Sequence, residues 1–183
     1  MIFNKTSIPD LLIIQPKIHN DDRGYFFESY KNSDFELNNL PTRFLQQNQS
    51  KSTRGVLRGR HYQLQYGQDK LVWVSQGEVM DVVVDVRKDS ATFGHYESII
   101  LNDKNHYRFY IPKGFAHGYY VLSEIAIFQY MCTENYHPED EYGISWNDPE
   151  INNNWPNGEK LISKKDIRLP CLKDIETKKL PVI

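Results

Sequence analysis

The stretch KLVWVSQGEVMDVVVDVR, residues 70–87, predicts the fold more clearly than any other part of the sequence. Leu71 and Trp73 lie two residues apart before the Gln76-Gly77 pair, and Val79, Asp81, Val83 and Asp85 follow it at every second position. Successive side chains of a strand point to opposite faces, so a period of two indicates β-strands. Two such runs around a glycine turn signal predict a β-hairpin.

The remaining apolar residues lie in short segments rich in Val, Ile, Tyr and Phe, separated by Gly, Asn, Asp and Pro. We predict further strands over residues 96–101, 107–112 and 124–133, with a turn at 102–105 between the first two. This pattern favours an all-β sandwich or barrel.

Helix is expected to be minor. Residues 32–40 predict one short helix, with Ser33 as the N-cap and Glu36 at the capping-box position. The last forty residues, rich in Pro and Asn, are expected to wrap the sheets as loops and short helices. We expect one domain over residues 1–183, with a frayed tail at about 174–183.

Composition excludes several classes of protein. The formal charge of −2 gives no cationic surface for nucleic acid. The N-terminal apolar run Leu11–Ile14 is far too short for a membrane span, so we expect a soluble, cytoplasmic protein without membrane contact. Cys132 and Cys171 are too few and too far apart for a disulfide framework or a zinc site, and we interpret them as free thiols.

Two short motifs resemble those of the cupin superfamily of jelly-roll barrels. IPKGFAHG holds Pro112, Gly114 and His117 in the order P-x-G-x-x-H, and GVLRGRHYQ leads to His61. Gln63 stands where metal-binding cupins have a second histidine. Two histidines without a carboxylate make a poor transition-metal site, so we expect no metal. A histidine without a metal could be a base or simply a core residue.

Across nearly the whole chain, the order and spacing of motifs resemble the dTDP-4-dehydrorhamnose 3,5-epimerase family. Besides the two histidine motifs, the matches are DDRGYFFESY, FLQQNQSKS, DVRKDSATFG, NYHPEDE and SKKD. The resemblance implies a cupin-type jelly roll with a few short peripheral helices. It also implies an enzyme that uses no cofactor, and a homodimer built by strand exchange.

The resemblance assigns the catalytic roles. His61 would remove a proton from the sugar with the help of Asp166, Lys70 would lie beside the 4-keto oxygen, and Tyr130 would protonate the opposite ring face. Without the resemblance, these residues could be a core histidine, a loop carboxylate, an exposed lysine and a core tyrosine. The proposed set is nevertheless what the chemistry needs, since inversion requires acid–base groups on two faces and charge stabilisation at the ketone oxygen.

The resemblance also implies a substrate-binding set on the dTDP-sugar. Arginines suit the diphosphate because their planar guanidinium binds phosphate oxygens in pairs, and Tyr136 would stack on thymine. The full set is Arg23, Phe26, Glu28, Gln46, Asn48, Arg58, His117, Tyr136 and Glu141.

Arg60 departs from the family, in which leucine is the commoner residue between this glycine and histidine. Simple alternation would place Arg58 and Arg60 on one face, opposite His61, so a bend at Gly59 is needed for Arg58 and His61 to share a site. Arg60 would then point to a subunit interface or mark a different sugar substrate.

Three alternatives remain open at this point. A 3-epimerase would use the same groups on a related nucleotide 4-keto-6-deoxysugar, and the number of inverted centres distinguishes it. A metal-dependent cupin would use His61 and His117 as ligands. A non-catalytic module would bind a nucleotide sugar without exchanging its protons.

Overall fold

Two β-sheets packed face to face make up most of the chain in a computed structural model, which describes residues 1–182. The first sheet has the order β1 (Ile2–Lys5), β2 (Leu12–Gln15), β10 (Arg108–Ile111), β7 (Lys70–Gln76), β12 (Ile125–Cys132) and β5 (Gln46–Thr53). The second has the order β13 (Glu141–Gly143), β6 (Val56–Gln63), β11 (Phe115–Val121), β8 (Glu78–Asp85) and β9 (Tyr96–Asn102), with β14 (Leu161–Ile162) also on β6.

A separate two-stranded hairpin of β3 (His19–Asp21) and β4 (Gly24–Phe26) lies outside both sheets. Neighbouring strands are antiparallel except for β14 and β6, which run parallel. The arrangement confirms the predicted all-β jelly roll.

The prediction of a hairpin over residues 70–87 is wrong, although both strands exist and their side chains alternate between the two faces of the sheet. β7 pairs with β10 and β12, whereas β8 pairs with β9 and β11, so the chain crosses between sheets at Gly77. Gly77 has a φ of +81°, and a Cβ there would collide with the Ile125 carbonyl. Both strands carry apolar residues on both faces, which suits central strands covered on two sides rather than a two-stranded ribbon.

The turn at 102–105 is present and also connects the two sheets, since β9 and β10 belong to different ones. The predicted strand at 124–133 corresponds to β12.

The main core fills the space between the sheets. Val72 and Val74 of β7 point into it, while Leu71 points outward to a second cluster under the helix. A third cluster covers the outer face of the second sheet with residues of the C-terminal segment, including Ile144, Leu172 and Leu180. The second sheet is therefore covered on both faces, whereas the outer face of the first sheet is covered only near the helix.

The short helix α1 (Asn32–Leu37) begins one residue before the predicted N-cap. Lys31 occupies the N-cap position without a side-chain cap, so the prediction for Ser33 is wrong. Instead, the Asn32 side chain donates to Glu36 at 2.7 Å, and Phe35 packs fully buried under the first sheet. Burial of Phe35 stabilises this short helix more than capping does.

The C-terminal segment, including part of the tail expected to fray, contacts the second sheet as far as Pro181. It contains short 3-10 helices at Asp166–Arg168, Leu172–Asp174 and Thr177–Lys179. The Lys88 amide donates to the Pro181 carbonyl at 3.0 Å, and Leu180 is buried. Apolar contacts and main-chain hydrogen bonds thus hold a tail whose charged sequence suggests solvent exposure.

Both cysteines are free, as predicted. Among residues 1–182, no helix has the length and apolar character that a membrane crossing needs.

Candidate active site

A cavity of about 580 Å³ lies between the two sheets. Ten of the residues predicted for the site line it, and they come from both sheets and from the C-terminal segment. They are Gln46, Asn48, Arg58, His61, Lys70, His117, Tyr130, Tyr136, Glu141 and Asp166.

The bend predicted at Gly59 is present. Gly59 has a φ of +97°, and the pairing of β6 with β11 shifts register beside it. A Cβ at Gly59 would lie 2.5 Å from the His117 carbonyl, so only glycine fits this close approach. The bend breaks the alternation, and Arg58 and His61 both face the cavity.

His61 is held by a carboxylate from the far end of the sequence. Its Nε2 lies 2.7 Å from Oδ1 of Asp166, and Oδ2 of Asp166 accepts the Gly59 amide at 3.3 Å. Burial acts to raise the pKa of Asp166, but the hydrogen bonds from His61 and Gly59 outweigh it and lower the pKa. Asp166 is therefore ionised at neutral pH and accepts the Nε2 proton, which leaves Nδ1 as the basic nitrogen.

Glu141 lies on the other side of the imidazole, with Oε1 at 3.7 Å from Nδ1 of His61. Its second oxygen pairs with Lys165 and accepts a hydrogen bond from the Tyr136 hydroxyl at 3.3 Å. Glu141 therefore connects the predicted aromatic Tyr136 to the predicted base.

Lys70 begins β7 and faces the cavity from the first sheet. Burial lowers the pKa of its ammonium, while Cys132 and Asp81 act in the opposite direction. A partly desolvated cation interacts more strongly with a charge that develops nearby than an exposed one does.

Tyr130 faces the cavity from β12, in register with Asn48 on one side and Val72 on the other. Burial raises the pKa of its phenol to about 12, so the hydroxyl is protonated at neutral pH. His61 and Tyr130 thus approach one cavity from opposing sheets.

His117 is buried, and its Nε2 lies 2.8 Å from Oδ2 of Asp81 on the neighbouring strand β8. Phe128 stacks on Tyr119 with ring centroids 4.2 Å apart, and on His117 at 6.0 Å. Sequence reasoning missed Phe128 and Tyr119 as lining residues. Their spacing could have identified them, because residues two apart on a strand share a face. Tyr119 follows His117 by two residues, and Phe128 precedes Tyr130 by two.

Polar side chains line the mouth of the cavity. Gln46 donates to Asn48 at 2.9 Å and accepts the Tyr136 amide at 2.8 Å, so the two residues share a face as their spacing predicts. The Arg58 Nε donates to Ser52 at 3.1 Å, which orients the guanidinium in the cavity wall. Amides, a cation and the half-exposed Tyr136 ring suit a nucleoside diphosphate.

The remaining three predicted binding residues lie apart from the cavity of their own chain. Arg23 has 89% of its side chain exposed and pairs with Asp21 in the β3–β4 hairpin. Phe26 is 68% exposed, and Glu28 pairs with Lys31 on the surface.

Arg60 lies behind the site rather than in it. Within this chain, it is neither on the surface, as a subunit interface would require, nor in the cavity, where it could select a different sugar. Its side chain is fully buried and donates to Asn153 Oδ1 at 3.0 Å and to the Ser145 carbonyl. Burial lowers its pKa to about 10. Arg60 therefore fastens the segment after β13 to the outer face of β6.

Residues 1–182 contain no group of three or more His, Cys, Asp or Glu residues arranged to hold a metal ion. His61 and His117 each contact a different carboxylate, Asp166 and Asp81 respectively.

Comparison with known proteins identifies the family of the chain: the family model for dTDP-4-dehydrorhamnose 3,5-epimerase matches residues 5–174. The chain belongs to this family.

Individual relatives cover nearly the full length of the chain. A dTDP-4-dehydrorhamnose 3,5-epimerase from Escherichia coli is 48% identical over 179 residues, which is 96% of this chain and 97% of the relative. The crystal structure of a 3,5-epimerase from Legionella pneumophila in complex with dTDP-4-keto-L-rhamnose is 47% identical. It superposes with a TM-score of 0.96 and covers 100% of this chain and 98% of the other.

A more distant structural neighbour has a narrower named activity. ChmJ from Streptomyces bikiniensis, a 3'-monoepimerase solved in complex with dTDP-quinovose, is 32% identical with a TM-score of 0.92. The alignment covers 97% of this chain and 91% of that one. The epimerase family fold therefore includes proteins named for one inversion and proteins named for two.

Proposed function

We propose that the chain inverts carbons 3 and 5 of dTDP-4-dehydro-6-deoxy-D-glucose to give dTDP-4-dehydro-L-rhamnose. The observation that carries this proposal is the placement of His61 and Tyr130 on opposing sheets around one cavity. Lys70, which lies between them in sequence, lines the same cavity. The identity to relatives named 3,5-epimerases supports two inversions rather than one.

The first chemical step is removal of a proton next to the ketone. Nδ1 of His61 takes the proton from carbon 3 or carbon 5, and the C–H electron pair moves to form an enolate with its charge on O4. The Asp166 carboxylate stabilises the imidazolium that results, as an orienting acid does in catalytic triads. The Lys70 ammonium stabilises the enolate oxygen, an effect of about 3–4 kcal/mol for a well-placed donor.

The second step returns a proton to the other face. Tyr130 donates its hydroxyl proton to the carbanion carbon, the enolate electrons re-form the ketone, and the configuration is inverted. Exchange with solvent then restores the proton of Tyr130 and removes that of His61. A base that returned its own proton to the same face would leave the sugar unchanged.

Binding of the nucleotide is assigned to the polar mouth of the cavity. Arg58 would contact the diphosphate, Tyr136 would stack on the base, and Gln46 and Asn48 would hydrogen-bond to the nucleoside. His117, held by Asp81, would contact the sugar. These roles agree with the charge and exposure of each group.

Incubation in D₂O tests the reaction directly. NMR of dTDP-4-dehydro-6-deoxy-D-glucose should show deuterium entering at carbons 3 and 5, with both centres inverted in the product. Inversion at carbon 3 alone would support the monoepimerase instead. Tight binding of the nucleotide sugar with no exchange at either carbon would support a non-catalytic module. A His61→Ala variant that exchanges at the wild-type rate would remove the base assignment.

We also infer that two copies exchange the β3–β4 hairpin. Arg23, Phe26 and Glu28 are assigned to the substrate but are exposed and lie outside the cavity of their own chain. Tyr25 and Phe26 are adjacent in β4 and are 57% and 68% exposed, and neighbouring exposed aromatic rings are typical of an interaction surface. Placed over a second copy's cavity, the hairpin would supply a further guanidinium and ring to the nucleotide.

Complementation between two defective variants tests this exchange. His61→Ala lacks the base in its own cavity, and Arg23→Ala lacks the donated guanidinium. Mixed after reversible dissociation, the two should form heterodimers in which one site is intact, so about a quarter of all sites regain full activity. A monomer by light scattering, or mixing without recovery, would contradict the exchange.

A further inference from the structure

A cluster of aromatic and cationic side chains fixes the β3–β4 hairpin to the first sheet. The His106 ring lies 4.7 Å from the Tyr25 ring and 4.9 Å from the Phe27 ring. The Arg108 guanidinium lies 5.6 Å from the Phe27 centroid and 4.7 Å from that of Trp73. We call these five residues the hairpin anchor.

The anchor occupies one side of the hairpin and leaves the other side free. Tyr25 and Phe27 both contact His106, although Tyr25 remains 57% exposed, and their alternates Phe26 and Glu28 point to the other side of the hairpin. The Arg108 Nε donates to the Ser29 carbonyl at 2.8 Å, which fixes the chain directly after Glu28.

The anchor also connects the hairpin to the catalytic strand. Arg108 of β10 pairs in register with Trp73 of β7, and the same two strands pair Ile111 with Lys70. A displacement at Arg108 therefore changes the position of the hairpin relative to β7, the strand that carries Lys70. Lys70 is the cation proposed to stabilise the enolate.

A buried arginine such as Arg108 costs folding free energy that an apolar residue with the same packing role would not. It is 6% exposed, and its Nε donates to a main-chain carbonyl rather than to a carboxylate. Burial lowers its pKa to about 10, which means that the protein resists holding the charge there. A buried cation without an anionic partner normally destabilises a fold, and an apolar side chain of similar length would pack at lower cost.

His106 completes the inner side of the hairpin. It is 7% exposed and has a φ of +51°, and burial followed by the charge of Arg108 lowers its pKa, while Asp103 acts in the opposite direction. The neutral His106 ring stacks against Tyr25 and Phe27 at physiological pH. Because it is neutral, the positive charge of Arg108 does not repel it.

We propose that Arg108 is a positioning residue for nucleotide-sugar binding: it sets the angle at which the hairpin presents Arg23 and Phe26 to the cavity of a second copy. This inference rests on the proposed hairpin exchange. Arg108 touches neither the substrate nor the cavity of its own chain, and it acts through the Ser29 carbonyl and the Phe27 ring.

Substitution Arg108→Met tests the proposal in the full-length protein. Methionine keeps the length and apolar contact but loses the donor to Ser29 and the cation over the two rings. With dTDP-4-dehydro-6-deoxy-D-glucose as the probe, KM should rise about tenfold and kcat should stay within about twofold, because binding is lost and the acid–base groups are unchanged. Arg108→Lys, which retains a cation over the rings, should recover part of the affinity.

Arg87→Met is the matched control. Arg87 is another arginine over an aromatic ring, 4.3 Å from the Phe115 centroid, with 11% of its side chain exposed, and it pairs with Asp85 in the second sheet. This variant should lower the melting temperature without the change in KM. A similar KM rise in both variants would show general destabilisation and would overturn the proposal.

A second substitution keeps the test decisive if Arg108→Met does not fold. Phe27→Ala removes the ring under Arg108 from the hairpin side, outside the barrel core, and should produce the same rise in KM. Unchanged KM in Phe27→Ala, or in folded Arg108→Met, overturns the positioning role. If Arg23→Ala also leaves KM unchanged, the hairpin exchange itself fails; if Arg23→Ala raises KM alone, only the positioning role does.

Discussion

The imidazole of His61 and the carboxylate of Asp166 form a 2.7 Å hydrogen bond although 105 residues separate them in sequence. The contact places an ionised, buried carboxylate against the proposed base and fixes its ring orientation. Three elements converge to make it: the bend at Gly59, the 3-10 helix at Asp166–Arg168, and β13 against β6.

Replacement of Asp166 by asparagine should cost catalysis much more than binding. Asn keeps the shape of the side chain but cannot stabilise the imidazolium that forms when His61 takes a proton. We expect kcat to fall at least about 100-fold with little change in KM, measured as NMR exchange rates at several substrate concentrations. Glu141→Gln serves as a control for a carboxylate beside the same ring; a larger loss of kcat there would assign the imidazolium partner to Glu141.

Tyr130→Phe should separate exchange from inversion. The variant retains the base, so protons at the abstracted face still exchange with solvent, but the acid for the opposite face is lost. We expect deuterium in the recovered substrate and inverted product reduced at least about 100-fold. Equal loss of exchange and inversion would mean that Tyr130 is needed for abstraction as well.

The pH dependence of the wild-type protein should carry no alkaline loss from Tyr130 below its raised pKa. Because burial raises the pKa of the phenol to about 12, the acid stays protonated across neutral and moderately alkaline pH. The kcat profile between pH 7 and 11 should therefore have the same shape for wild type and for Tyr130→Phe, apart from a constant factor. An alkaline decline near pH 10 that disappears in Tyr130→Phe would contradict the raised pKa.

Lys70→Met should lower activity while leaving stability intact or improved. Loss of the cation removes stabilisation of the enolate, so kcat should fall by about 10²–10³-fold. The folded-state pKa of Lys70 is lowered, so holding the charged form costs folding free energy at every pH below the ordinary value of 10.5. Thermal denaturation at pH 7 should therefore give a melting temperature no lower than wild type. A marked drop would indicate that Lys70 mainly stabilises the fold.

Two substitutions at Arg60 separate packing from specificity. Arg60→Ala removes a large, fully buried side chain and leaves the Ser145 and Asn153 oxygens without their donor, at a cost of about 2–4 kcal/mol in the free energy of unfolding. Arg60→Leu restores the residue commoner in the family, fills most of the space and should cost less. Since Arg60 lies outside the cavity, neither variant should change the preferred nucleotide sugar; a changed preference would contradict this placement.

Local features of the fold and site were predictable from sequence, and long-range ones less so. Alternation located β7 and β8, β-branched and aromatic residues located β12, and the spacing of Gln46 and Asn48 gave their common face. The Gln76-Gly77 turn signal could not tell a hairpin from a crossing between sheets, because a turn constrains its own dihedrals but not the strands that its neighbours pair with. The roles of His61 and Asp166 required the family resemblance, since nothing local joins residues so far apart.

The partners of the site residues were harder to predict than the residues themselves. Asp81 lies on a strand among valines, and its contact with His117 depends on the register of β8 against β11. Arg60 was expected at a subunit interface or as the mark of a different sugar substrate, yet it lies inside the fold, where the Ser145 carbonyl and the side-chain oxygen of Asn153 accept its hydrogen bonds. Such contacts depend on how distant segments meet, which one sequence does not specify.

The C-terminal segment supplies Asp166 and then closes over the outer face of the second sheet, where Leu172 and Leu180 are buried. During translation the partner of the base is therefore added after every other residue assigned to chemistry. Prematurely terminated chains that stop before this segment would carry the cavity and its cations but no working dyad. Turnover would thus distinguish chains that extend past Asp166 from chains that stop before it.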